Sequence, residues 1–234
     1  MSTFGLVHGA YHGSWCWDKL KNELEQRGHS VLTVDLPSED PDAGGREYAA
    51  ATVEAFSDAP DDLVLVGHSL GGLTIPLVPF LRPVSRMVFV CAMLPRPGRS
   101  HNDVFREEPD MVGSPPADDG AFTDARGATR WRPDVAATWF FSDCSSEVAT
   151  WAANRLGGQQ WRITEEVTPL QTWPSVRSST VIGRQDLVIN PAWSRRVSPV
   201  VLGVSPVELD CGHSPFLSAP ARLADVLVRP ASPA

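Results

Sequence analysis

The 234-residue chain is 42% hydrophobic and 21% charged, and its 20 Lys and Arg against 28 Asp and Glu leave a net charge of −8. That balance excludes a disordered chain, a collagen and a coiled coil, and it offers no basic face to nucleic acid or an anionic lipid surface; a small neutral substrate fits better. The length suits one domain carrying an insertion rather than two full domains.

Short runs rich in Val and Leu at residues 4–8, 31–36, 63–67 and 87–92 read as buried parallel strands. Residues 14–27, 46–57 and 70–81 between them have helical character, and Pro76 and Pro79 predict that the last of these helices is kinked or short. The alternation predicts an α/β fold built on a doubly wound, mostly parallel sheet. From residue 93 to 178 it stops, and Pro, Arg and aromatics take over, including Trp131, Trp139, Trp151, Trp161 and Trp173. This stretch reads as a small helical cap inserted into a core formed by residues 1–92 and 179–234. Its tryptophans serve either to wall a pocket or to glue the cap to the core. Strands return at 180–183 and 204–209, a final helix is expected at 219–228, and the Pro-rich tail 229–234 is expected to be loose.

No apolar run approaches the length of a membrane span, and residues 1–8 carry neither a basic region nor a long apolar stretch. Cys16, Cys91, Cys144 and Cys211 are scattered, without a C-x-x-C pair, so reduced thiols and a cytoplasmic location are expected. No metal or cofactor motif is apparent, and no heptad specifies an oligomeric state.

Gly67-His68-Ser69-Leu70-Gly71 fits G-x-S-x-G, a pattern that chance places in about one chain in ten of this composition. Its context, after a strand and before an apolar helix, is the tight turn that exposes a nucleophilic hydroxyl. Ser69 is therefore the candidate nucleophile. A serine hydroxyl needs a base held by a third group. His213, in the loop after the last strand, is the candidate base, and Asp186, just beyond the 180–183 strand, the candidate orienting acid; Asp35 is its main competitor. The order Ser, acid, His suits a serine hydrolase of this topology. Backbone N–H groups of Ala10 and Leu70 are placed to receive a developing oxyanion. Gly9, Tyr11, His12, Trp139, Phe140 and Trp161 are expected to line the substrate pocket, with His8 close by.

At the stretches 4–17, 66–72 and 139–160 the chain resembles the α/β-hydrolase superfamily, most closely its small branch of plant-type methyl esterases, hydroxynitrile lyases and related bacterial esterases. The resemblance implies the same triad, Ser69, Asp186 and His213, and the same two oxyanion amides. Hydroxynitrile lyases of that branch carry Thr where Gly9 stands and Lys where Ser214 stands, so cyanohydrin cleavage is not expected. The expected function is cofactor-free hydrolysis of a small carboxylic ester through an acyl-enzyme. The alternatives are lactone opening, carbon–carbon hydrolysis, a lyase or cyclase step on a natural product, and a small-molecule receptor that keeps the fold.

Overall fold

In the computed structural model, which describes residues 1–115 and 120–229, the chain starts with β1 (Thr3–Val7), a 3₁₀ turn at Ser14–Trp17, α1 (Asp18–Gln26), β2 (Ser30–Thr33) and α2 (Gly45–Ala55). Then come β3 (Val64–His68), two 3₁₀ helices at Ser69–Leu73 and Ile75–Phe80, and β4 (Arg86–Val90). The intervening segment holds α3 (His101–Glu107), a hairpin of β5 (Ala121–Thr123) and β6 (Thr129–Trp131), α4 (Pro133–Phe140), α5 (Ser146–Ala153) and α6 (Arg162–Glu165). The chain closes with β7 (Arg177–Gly183), α7 (Pro191–Leu202), β8 (Val207–Leu209), α8 (Pro215–Ser218) and α9 (Pro220–Leu227).

The main sheet runs β2-β1-β3-β4-β7-β8, with every neighbouring pair parallel. Side chains alternate across it. Phe4, Leu6, Val64, Val66, Val88 and Val90 join Leu20 and Leu24 of α1 and Leu223 and Leu227 of α9 in one buried cluster. Leu65, Met87 and Phe89 face the other way, toward Tyr48 of α2, Val78, and Trp193 and Val197 of α7. Helices on both faces are what a doubly wound sheet requires, because each buried Val or Leu contributes about 1.5–3 kcal/mol that an open face would forfeit.

The order reverses at β1 and β3: the chain steps outward from β1 to β2, then returns to the other side of β1. Open α/β sheets bind ligands in the crevice beyond the carboxyl ends of strands at such a switch. Residues 9–12 and 69–72 lie there.

Two features differ from expectation, and a third, the break in the 70–81 helix, follows it. The 70–81 helix is two 3₁₀ pieces, because Pro76 and Pro79 each remove a backbone donor. The inserted segment contains an antiparallel hairpin as well as helices. Helix α7, not expected, is capped by the Asn190 side chain, which accepts from Ala192 N–H, and ends at Gly203 in the left-handed region. Residues 230–234 of the tail lie outside the described residues. Among the described residues no helix is long and apolar enough to cross a membrane.

Candidate active site

Among the described residues, three other than glycine have positive φ: Tyr11 (65°), Ser69 (49°) and Cys91 (46°). They follow β1, β3 and β4, which are neighbours in the sheet, so backbone strain of about 1–3 kcal/mol per residue is concentrated along one carboxyl edge. Two glycines make the turn at Ser69 possible. A Cβ on Gly71 would stand 2.7 Å from the His8 carbonyl oxygen, and a Cβ on Gly9 would stand 2.7 Å from the Ser69 Cβ. The chain after β1 therefore lies directly against the serine. Ala10 N–H donates to no described group, and Leu70 N–H to none outside its own 3₁₀ turn. Both amides expected at an oxyanion site are thus uncommitted.

Asp186 and His213 are brought together from the loops after β7 and β8. His213 Nδ1 lies 3.0 and 2.9 Å from the two Asp186 carboxylate oxygens, and both residues are buried. Asp186 Oδ1 also accepts the Val188 and Ile189 backbone N–H groups, at 2.8 and 3.0 Å. An ionised carboxylate only accepts, so Nδ1 carries the proton and Nε2 keeps the basic lone pair. Ser69 Oγ makes no hydrogen bond to a described residue, His213 Nε2 included. Neither atom is among the sealed, unpartnered polar atoms, so both keep some accessible surface. Asp35 is committed elsewhere: its carboxylate accepts the Ser14 N–H at 2.6 Å and the Ser14 hydroxyl at 2.9 Å.

The other histidines of this edge are held by the backbone. His8 Nε2 accepts the Leu36 N–H at 3.0 Å, which leaves Nδ1–H to donate to the Gly9 carbonyl at 2.8 Å. His12 Nδ1 donates to the Ala10 carbonyl at 2.7 Å, and its ring stacks on Trp15. Burial lowers the pKa of His8, takes that of His12 down to about 3, and drives that of His68 well below its ordinary value. All three stay neutral at neutral pH.

Tyr11 packs against Phe140, Trp161 and Trp131 with ring centres 5.7, 5.8 and 6.3 Å apart, and Phe140 reaches the His213 ring at 6.3 Å. Burial pushes the Tyr11 phenol up to about 12. Trp139 adjoins this aromatic group, its ring centre 6.5 Å from that of Phe140, and lines a 360 Å³ cavity with Asp186, Gly113, Ser114, Leu187 and Asn190. Trp151 packs on Trp15, and Trp173 on Phe89, so these two serve as glue. Trp131, absent from the expected pocket, belongs to the aromatic group; its signal was the tryptophan count of the insertion. A 410 Å³ groove lined by Arg46, Leu77 and Phe80 contains none of the expected site residues.

Among the described residues, one set of metal-competent donors is compact: Cys91 Sγ, Asp186 and His213, within 4.8 Å of one another. Two of these are the hydrogen-bonded acid and base, and the Cys91 thiol is pushed well up by burial first and by Asp186 second.

The sequence matches the alpha/beta hydrolase family over residues 6–226. The chain belongs to that family. It is similar to Methylesterase 3 of Arabidopsis thaliana, 42% identical over 102 residues, which are 38% of this chain and 39% of that protein. It is 32% identical over 162 residues to Norfluorocurarine synthase 1 of Strychnos sp, covering 62% of this chain and 61% of that one. The chain thus spans about two fifths and three fifths of the length of these two relatives. A longer match, 27% over 248 residues, covers 96% of this chain and 93% of Norfluorocurarine synthase 1 of Strychnos nux-vomica. Among solved structures, polyneuridine aldehyde esterase superposes with a TM-score of 0.82 at 24% identity, covering 97% of this chain and 98% of that one. A pyrethroid hydrolase from Sphingobium faniae JZ-2 does so with 0.79 at 22%, covering 97% and 95%. These likenesses carry the fold.

Proposed function

We propose that the protein is a serine esterase that cleaves a small, uncharged, hydrophobic carboxylic ester without a cofactor. The observation that carries this reading is the His213 Nδ1–Asp186 pair, buried on the same sheet edge as the strained Ser69. The similarity to a protein named a methylesterase supports it.

Ser69 Oγ attacks the ester carbonyl carbon as His213 Nε2 takes its proton, and the Ala10 and Leu70 N–H groups receive the oxyanion. Substrate binding brings Oγ and Nε2 into hydrogen-bond contact, a closure commonly completed only in the substrate complex. The imidazolium protonates the departing alcohol. Water, deprotonated by the same nitrogen, then releases the acid and restores the serine. Asp186 stays ionised throughout and fixes the tautomer. In this reading residues 93–178 are the cap, residues 1–92 and 179–234 the core, and Gly9, Tyr11, His12, Phe140 and Trp161, joined by Trp131, wall the pocket while Trp139 sits behind the acid. Four unpaired cysteines favour the cytoplasm.

A second reading, a lyase or cyclase step on a natural product by the same residues, has one finding in its favour: the nearly full-length similarity to a protein named a synthase. The position after His213 supplies no cation to receive cyanide, which disfavours cyanohydrin cleavage alone: the Ser214 hydroxyl there is buried and donates to the Phe140 carbonyl at 2.9 Å. Ranking esters, lactones and β-diketones by specificity constant separates hydrolysis from the other steps.

The deciding experiment measures turnover of an activated short-chain aryl ester and labelling by a fluorophosphonate. Wild type is expected to do both and Ser69→Ala neither, with the variant still folded. Undiminished turnover by Ser69→Ala refutes the proposal.

A further inference from the structure

We infer that Asp143, in the turn between α4 and α5, is a positioning residue for His213, so that the base is fully fixed while that turn lies against it. The inference rests on the reading of His213 as the general base. Residues on both sides of His213 are bonded to this one stretch of the inserted segment. Gly212 N–H donates to Asp143 Oδ2 at 2.6 Å, and Ser214 Oγ donates to the Phe140 carbonyl oxygen at 2.9 Å. The core holds His213 itself: His68 Nε2–H donates to the His213 carbonyl at 3.0 Å, and Asp186 receives Nδ1–H, while Gln185 N–H donates to the Cys211 carbonyl at 3.0 Å and Leu217 N–H to the Ser214 carbonyl at 2.9 Å.

Asp143 is half-buried, with its carboxylate turned inward. Its Oδ1 is sealed from solvent with no partner among the described residues, and it forms no ion pair there. A carboxylate oxygen sealed from water without a counter-charge leaves the group dependent on the hydrogen bonds it does receive. The recorded one runs to the residue before the base, and charge-assisted bonds of this kind are short and strong. Asp143 makes no hydrogen bond to Ser69 or to the His213 ring, so it acts through the backbone of Gly212. Movement of the α4–α5 turn away from the sheet, whether to admit substrate or release product, breaks the bonds to Gly212 and Ser214 together. The His213 loop then keeps its bonds to the core, among them those of His213 itself to His68 and Asp186 and that of the Cys211 carbonyl to Gln185 N–H, but loses both bonds that flank the base from the inserted segment.

The test compares Asp143→Ala and Asp143→Asn with wild type by ester kinetics and by the low-field proton resonance of His213 Nδ1–H. Asp143→Ala is expected to lower kcat roughly 10- to 100-fold, the loss that a small misplacement of a reacting group brings, with KM within about twofold, and to broaden the resonance by exchange with water. Asp143→Asn, whose amide oxygen still accepts from Gly212 N–H, is expected to recover most of the rate and the sharp resonance. If Asp143→Ala does not fold, Ser214→Ala, which removes the bond to Phe140, carries the same direction of change in both readouts. A folded Asp143→Ala with wild-type kcat and a sharp resonance overturns the inference, as does equal impairment of the Ala and Asn variants. Failure of the underlying reading shows separately, as full turnover by Ser69→Ala, because the resonance reports the hold on His213 whatever the activity.

Discussion

His68 Nε2 and the His213 carbonyl oxygen are 3.0 Å apart, a buried hydrogen bond that ties the residue before the candidate nucleophile to the backbone of the candidate base. The two rings lie 4.6 Å apart. This bond links the end of β3 to the loop after β8 across the width of two intervening strands. Replacing His68 by Ala leaves a buried carbonyl unpaired, a loss of about 1–3 kcal/mol. Urea unfolding of His68→Ala should show that decrease, and its kcat should fall while Ser69 and Asp186 remain intact. Unchanged stability means that the carbonyl finds another donor.

Gly9 presses against Ser69 so closely that a single methyl group decides the fit. In Gly9→Ala the new Cβ meets Ser69 Cβ at 2.7 Å and His68 Nδ1 at 2.9 Å, and neither group is the free end of a flexible side chain. Displacement of the hydroxyl is expected to slow fluorophosphonate labelling and kcat/KM by about 100-fold. A labelling rate equal to wild type shows that the serine tolerates the displacement.

Removing the charge of Asp186 while keeping its shape tests the tautomer argument. Asp186→Asn can present an N–H to His213 Nδ1 and so favour the tautomer with the proton on Nε2, where a base needs a lone pair. By analogy with other serine triads kcat should drop about 10⁴-fold, with binding of a neutral competitive inhibitor little changed. A loss below about tenfold indicates that the acid contributes only packing.

The three buried neutral histidines make stability depend on pH in a definite direction. Burial depresses the folded-state pKa of His8, His12 and His68 below the ordinary value, His12 to about 3, so below about pH 6.5 the unfolded chain binds more protons than the native one. Their contribution is complete above that pH and is lost progressively as pH falls toward each folded-state pKa. Each steepens the fall by up to about 1.4 kcal/mol per pH unit. Denaturant unfolding of wild type and His12→Asn between pH 7 and 4 should give a shallower slope for the variant. Parallel slopes refute the assignment of His12 as a neutral buried group.

Much of this was legible in the sequence because parallel strands buried on both faces are written as continuous Val and Leu runs. Residues 63–67 and 87–92 emerged as β3 and β4 nearly in place for that reason. The elbow was legible because a glycine-flanked serine between strand and helix has few other uses, and the order of Ser69, Asp186 and His213 follows the topology. Helix α7 was hidden: Asn190-Pro191 and Gly203 are fair start and stop signals, but Pro199 and the serines between them break the apolar period. The Asp143–Gly212 bond spans 69 positions and follows no motif. The tryptophans of the insertion divide between the cluster around Tyr11 and contacts to Trp15 and Phe89 by three-dimensional packing, which spacing along the chain does not encode.

The direct pairing of β4 with β7, with Phe89 opposite Thr180 and Val90 opposite Val181, closes the sheet regardless of what the chain does between them. Segment exchange between related enzymes is therefore feasible at this junction, as a route to altered selectivity. A transplanted segment must also bring a hydrogen-bond acceptor to Gly212 and another to Ser214. Chimeras chosen for steric fit alone should fold well and turn over slowly.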